Sequence, residues 1–143
     1  GAKHAAAILK LLVRRLRQVW PEVRIIFRGD SGFCRQTLIN WCERSRVHYI
    51  IGLARNPKLE AMVEYAQMAM HDEYLRTHTK QRLVDEFSYA AQSWPHERRV
   101  ITRLEWGDQG HNPRFIVTDL DGEAGVLYDE LYCRKRSGIP SSA

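Results

Sequence analysis

The chain is predicted to be α/β on three observations. Amphipathic and apolar stretches alternate in the order helix, strand, helix, strand; two glycines bracket an acidic residue where the first apolar stretch ends; and the second half is β-rich and broken by turn clusters. At 143 residues, 44% hydrophobic and 27% charged, the chain has one-domain size and ordinary globular usage, which excludes disordered, collagen-like and coiled-coil classes. No apolar run approaches the roughly 18 residues of a membrane span, so no membrane partner is expected. The sequence opens on Gly1 without the basic, apolar and small-residue order of a secretory signal, and it reads as a segment of a longer frame.

From Ala5 to Trp20 the residues Ala5, Ile8, Leu9, Leu12, Leu16 and Val19 recur at three and four, which predicts an amphipathic helix with that stripe facing the core. Pro21 disfavours helical geometry at Trp20 and ends it. The β-branched and aromatic run Val23 to Phe27 predicts a buried strand, closed by Arg28-Gly29-Asp30-Ser31-Gly32. A second helix is expected from Cys34 to Arg44, a second strand from Tyr49 to Leu53, and a third helix from Leu59 to Tyr74 with Met62, Met68 and Met70 as core filler. The first two strands should pair in parallel through the helical crossover. Phe87 to Ala91, Val100 to Leu104 and Phe115 to Thr118 predict an antiparallel meander, its turns at Ser93 to His96 and Gly107 to Pro113. A last helix is expected from Val126 to Arg134.

Charge is uneven. Gly1 to Arg46 holds ten basic and three acidic residues, whereas the chain as a whole is only +5. A basic first third suits a polyanion such as DNA, with Arg14, Arg15, Arg17, Arg24, Arg28 and Arg35 as contacts, although arginines also keep ordinary surfaces solvated. Cys34, Cys42 and Cys133 are odd in number and lack C-x-x-C spacing, so a reducing, cytoplasmic location is expected. The six histidines show no metal-ligand spacing.

The sharpest local feature is Asp30, at the carboxyl end of a strand and between Gly29 and Gly32. Open α/β sheets gather active-site groups at that edge, and a carboxylate there suits Mg²⁺, which prefers oxygen ligands. The same residue also suits a helix cap, since Asp accepts the orphan N–H groups of the turn that follows.

Trp20-Pro21, the run Arg24 to Arg35, Trp41-Cys42-Glu43 and Gly52-Leu53-Ala54-Arg55-Asn56 closely resemble the DDE transposases of bacterial insertion sequences, in the branch called transposase DDE domain group one. Ser93-Trp94, Arg98-Arg99-Val100, Asn112 to Thr118, Leu127-Tyr128 and Leu131-Tyr132-Cys133 continue the likeness in the same order. The resemblance implies a partial RNase H-like core over residues 1–76, a mostly β insertion over 77–122, and the start of a C-terminal helix with a divergent tail over 123–143. It implies that Asp30 is the second of three catalytic carboxylates and a metal ligand, that Mg²⁺ is the cofactor of the complete site, and that transposon-end DNA is the partner; from the basic first third, Arg14, Arg17, Arg28 and Arg35 are the contacts expected for it. In the family, two metal ions held by the triad drive in-line phosphoryl transfer. A homo-oligomer is expected for the full-length protein. The first Asp of the family's triad would lie before Gly1, and the run from Lys135 to Ala143 departs from the family's Glu-bearing helix. A fragment that is inactive alone is therefore expected. Two alternatives stand beside it: a non-catalytic basic nucleic-acid-binding domain, and a nuclease that uses Glu105, Asp108 or Asp119 with Asp30.

Overall fold

The computed structural model describes residues 1–133. The expected end of the last helix at Arg134 and the divergent tail lie outside them. The elements are α1 (Ala2–Val19), β1 (Ile26–Gly29), a 3-10 turn (Ser31–Phe33), α2 (Gln36–Arg44), β2 (His48–Leu53), α3 (Pro57–Met62), α4 (Glu64–Thr77), β3 (Gln81–Tyr89), β4 (Arg98–Gly107), β5 (Gly110–His111) and β6 (Arg114–Thr118). A closing helical segment is α-helical over Ala124–Val126, here α5, and π-helical over Leu127–Tyr132.

All six strands join one mixed sheet in the order β1-β2-β6-β4-β3, with β5 against β4. β1 and β2 pair in parallel, Phe27 opposite Tyr49 and Gly29 opposite Ile51, as the α2 crossover predicts. The β3–β4–β6 meander is antiparallel throughout, and β6 pairs antiparallel with β2, so the meander extends the sheet that β1 and β2 begin. Side chains alternate along each strand and divide the core in two. Tyr49, Ile51, Val100, Leu104, Phe115 and Val117 meet Val13, Leu38, Ile39, Cys42, Leu59, Val63 and Met70 from the helices on one face. Ile50, Ile101 and Ile116 meet Leu120, Ala124, Leu127 and Tyr128 on the other, so the closing segment and the loop residue Leu120 before it cover that face.

Several sequence expectations are corrected. β1 is a half-exposed edge strand that begins three residues later than expected, with Ile26 41% exposed, because only β2 pairs with it. α1 turns a different stripe inward: Val13 is buried, with Ala6 and Leu9 against the core, whereas Ile8, Leu12, Leu16 and Val19 are exposed. The reason is polar. Lys10 sits over the Trp41 ring at 5.7 Å, and Arg17 donates to the Ser45 carbonyl and, at 2.8 Å, to the Arg46 carbonyl, so the basic stripe of α1 faces α2. Those carbonyls lie where α2 ends, with Arg46 left-handed at φ 55° and Val47 N–H closing back on Cys42 O at 2.8 Å. α2 starts at Gln36 rather than Cys34, since Cys34 closes the 3-10 turn and Arg35 is extended as the cap of α2. The third helix is two helices that break at Val63 (φ −107°, ψ 5°), and of the methionines only Met70 is buried. β3 starts well before the expected strand and ends at Tyr89, short of Ala91, whereas β4 runs beyond the expected strand at both ends.

The end of the sheet where β2 starts is cross-linked by opposite charges. The Arg98 side chain, 2% exposed, donates its Nε to Glu43 Oε2 (2.9 Å) and its Nη2 to Glu43 Oε1 (3.0 Å) and Asn40 Oδ1 (2.9 Å), beneath the Trp94 ring. Tyr49 Oη also donates to Glu43 Oε2 at 2.7 Å. Burial pushes the Glu43 carboxyl up, but the hydrogen bonds from Arg98, Tyr49 and His96 and the Arg98 charge outweigh it and hold the group at about 2. Beside it, Arg99 is paired with Glu86, and Asp119 accepts from Tyr49 N–H at 2.8 Å and contacts His48 at 3.0 Å.

Candidate functional site

Asp30 stands just beyond β1, in extended geometry (φ −81°, ψ −175°) and exposed. Its Oδ1 accepts the Gly32 N–H at 2.9 Å, so it caps the 3-10 turn, in line with one of the two roles its sequence position suggests. The position depends on Gly52. A Cβ built there would lie 2.8 Å from Ser31 N and 2.6 Å from Tyr132 Oη, so only glycine lets β2, the Asp30 turn and the closing segment approach this closely. A glycine inside the otherwise apolar run Tyr49 to Leu53 is the sequence signal of such an approach.

Around Asp30 opens a cleft of about 460 Å³ at the carboxyl ends of β1 and β2. Arg55 reaches it from the loop after β2, Arg103 from β4, Arg114 from the start of β6, and Tyr128 and Tyr132 from the closing segment. Glu123 starts that segment by accepting the Val126 N–H at 2.8 Å, and Cys133 N–H bonds back to Tyr128 O at 2.9 Å, the five-residue closure of a π-helix. This winding sets the two tyrosine rings 5.7 Å apart over the cleft. Arg28, on the same sheet face as Ile50, donates to the Leu131 carbonyl at 3.3 Å and fastens the segment to β1. Burial pushes the Tyr128 hydroxyl up to about 12 against the pull of Arg103. Tyr132 is raised by burial, then by Cys133 and Asp30, with Arg114 and Arg28 opposing. Both tyrosines are neutral hydrogen-bond donors at neutral pH.

The four expected DNA contacts do not converge on Asp30. Arg14 and Arg17 line a separate depression between α1 and α2 with Lys10, Trp41 and Ser45. Arg28 is engaged with the closing segment, and Arg35 is exposed at the start of α2 without lining the cleft. The arginines that do line it, Arg55, Arg103 and Arg114, lie outside the basic first third and were not expected as contacts. The carboxylates weighed as partners for Asp30 have other neighbours. Glu105 faces Lys80, Arg82 and Arg103, Asp108 accepts from Tyr74 Oη, and Asp119 sits at the far end of the sheet with His48. Among the described residues that line the cleft, Asp30 is the one carboxylate.

Mg²⁺ binds protein through carboxylates and sheds its waters reluctantly, so a lone exposed carboxylate competes poorly with solvent. Among the described residues no group of three His, Cys, Asp or Glu is placed to hold a metal ion, and three arginines share the cleft with Asp30. The described residues therefore do not by themselves fit the divalent metal that the family generally uses.

A net-positive cleft at the carboxyl edge of a parallel strand pair is the kind of site that takes phosphorylated ligands, because guanidinium forks match phosphate oxygens. The comparison with protein families makes this particular: the profile described as transposase DDE domain group 1 matches residues 1–138, and the chain belongs to that family. The likeness read from the residues around Asp30 is thereby shown. Membership places the chain in transposition, a process whose substrate is DNA. No curated protein and no solved structure matches the chain. Among the described residues no helix is long and apolar enough to cross a membrane.

Proposed function

We propose that this chain is part of the catalytic core of an insertion-sequence transposase that cuts and joins transposon-end DNA by phosphoryl transfer, with Asp30 as one carboxylate of the catalytic set. The supporting observation is the placement of Asp30, exposed where two paired parallel strands end, over a cleft lined by three arginines in a chain of this family. The fold proposed is RNase H-like, with residues 1–76 as part of the core, 77–122 as a β insertion that extends the sheet, and the closing segment returning to cover the Asp30 end. In-line transfer at phosphorus needs the reacting strand positioned and the charge on its oxygens stabilised. Arginines do both, whereas one carboxylate cannot hold a pair of ions about 3.5 to 4 Å apart.

The described residues thus favour DNA binding without cleavage, and the other two carboxylates are assigned to segments beyond them. Plasmid nicking in Mg²⁺ or Mn²⁺ tests this. The chain as it stands leaves DNA intact, a longer protein carrying the two further carboxylates nicks it, and Asp30→Asn in that protein abolishes nicking while keeping the cap on Gly32. Nicking by the chain alone that is lost in Asp30→Ala overturns the assignment of the other carboxylates, and nicking retained in Asp30→Asn overturns the role of Asp30.

A further inference from the structure

Arg103 and Arg114 are direct register partners on neighbouring antiparallel strands, and both lie on the sheet face of Ile101 and Ile116. Like charges opposite one another destabilise a sheet unless something anionic lies between them. Among the described residues the one carboxylate paired with either is Glu105, 3.7 Å from Arg103. It also lies 3.4 Å from Lys80 and 3.5 Å from Arg82, although Arg82 has a closer partner in Asp129 at 2.6 Å, and it makes no pair with Arg114. Arg103 is held in place, its side chain 14% exposed and its Nη2 donating to Asn112 O at 2.6 Å, while its Nε is buried with no partner among the described residues. Arg55 and Arg114 are exposed, and among the described residues neither side chain has a hydrogen-bond or ion-pair partner.

We propose that Arg55 and Arg114 grip the phosphodiester backbone of a DNA strand in the Asp30 cleft, with Arg103 as the fixed charge behind them. This rests on the proposed DNA role and locates the strand on the side of the sheet away from α1. A planar guanidinium with free donors fits two oxygens of one phosphate, which a lysine cannot do. Tyr128 and Tyr132 hydroxyls line the same cleft as neutral donors. With Asp30 as the only acid among the described residues lining it, the cleft suits monoanionic diesters in succession and sets one of them beside the carboxylate.

Fluorescence anisotropy of a labelled duplex, titrated with the chain between 50 and 200 mM salt, tests the proposal. Removing one arginine–phosphate pair should flatten the slope of log affinity against log salt by about 0.9. The Arg55→Gln/Arg114→Gln double variant should therefore show a slope shallower by about 1.8 and an affinity weaker by about tenfold at the higher salt. The Arg44→Gln/Arg76→Gln variant, which removes two exposed charges elsewhere, should keep the wild-type slope. All four positions are exposed, and a thermal melt confirms that each variant folds. A wild-type slope in the cleft variant overturns the proposal, and so does an equal loss in both variants. Failure of the wild-type chain to bind DNA at 50 mM salt overturns instead the DNA reading on which it rests.

Discussion

The two ends of the sheet handle charge in opposite ways. Where β2 starts, Arg98 is buried against Glu43, with only its Nη1 unpartnered among the described residues, Arg99 pairs with Glu86, and Asp119 pairs with His48 and the Tyr49 N–H. Where β1 and β2 finish, Arg103 faces Arg114 across the strands, Arg55 is free of described partners, and the one acid among the described residues lining the cleft is an exposed Asp30. The same residue types thus hold the fold together at one end and leave a field for a ligand at the other. Such local conflict, costly to stability, is what a functional site looks like in a sheet that is otherwise consistent.

The largest effect is expected from breaking the paired end. Glu43→Ala strands the buried Arg98 guanidinium and should cost about 3 to 5 kcal/mol, read as a fall in the urea midpoint with an unchanged slope. A loss near that of an exposed ion pair would mean that the two ends differ less than the geometry says. The pH dependence sharpens the same point. Glu43 is held at about 2 in the folded chain, against about 4.3 in an unfolded one. The unfolded state therefore takes up the proton first as pH falls, and stability present above about pH 5 is lost on the way down to about pH 2. Glu43→Gln, measured by the same unfolding curves, should remove most of that acid loss.

Next in size is Gly52→Ala, whose Cβ meets the Ser31 backbone. A cost of about 1 to 3 kcal/mol is expected, together with a displaced Asp30 turn seen as shifted amide resonances at Ser31 and Gly32. The smallest effect has the opposite sign. Arg114→Gln relieves the like-charge pair and should stabilise the chain by about 0.2 to 1 kcal/mol in a thermal melt while weakening DNA binding. Destabilisation by that change would show that Arg114 has a structural partner.

Much of this was legible in the sequence. The parallel pair could be read because Val23 to Phe27 and Tyr49 to Leu53 are largely apolar runs separated by one stretch of helical periodicity, and the meander because Gly107 to Pro113 is dense in turn formers. The position of Asp30 followed from its glycines. The inward stripe of α1 differs from the expected one because hydrophobic spacing ignores polar anchors: Lys10 and Arg17 have specific partners on and after α2, and they set the helix rotation. The length of β3 was hidden because Gln81 to Glu86 is largely polar and exposed and is held by backbone pairing with β4. The arginine cleft could not be read at all, since the opposition of Arg103 and Arg114 is a property of register, and Arg55 joins them only through the pairing of β2 with β6. Counting charge along the chain pointed instead to the first third, where Arg17 serves α2.

The difference between the ends is tested most directly by amide NMR of the chain, at 16.7 kDa well within range, during titration with a short DNA duplex. Shifts are expected to concentrate on Asp30 to Gly32, Leu53 to Arg55, Arg103, Asn112, Arg114 and Tyr132, with Glu43, Arg98 and Asp119 unmoved. Shifts confined to α1, around Arg14 and Arg17, would contradict the assignment of DNA to the Asp30 end.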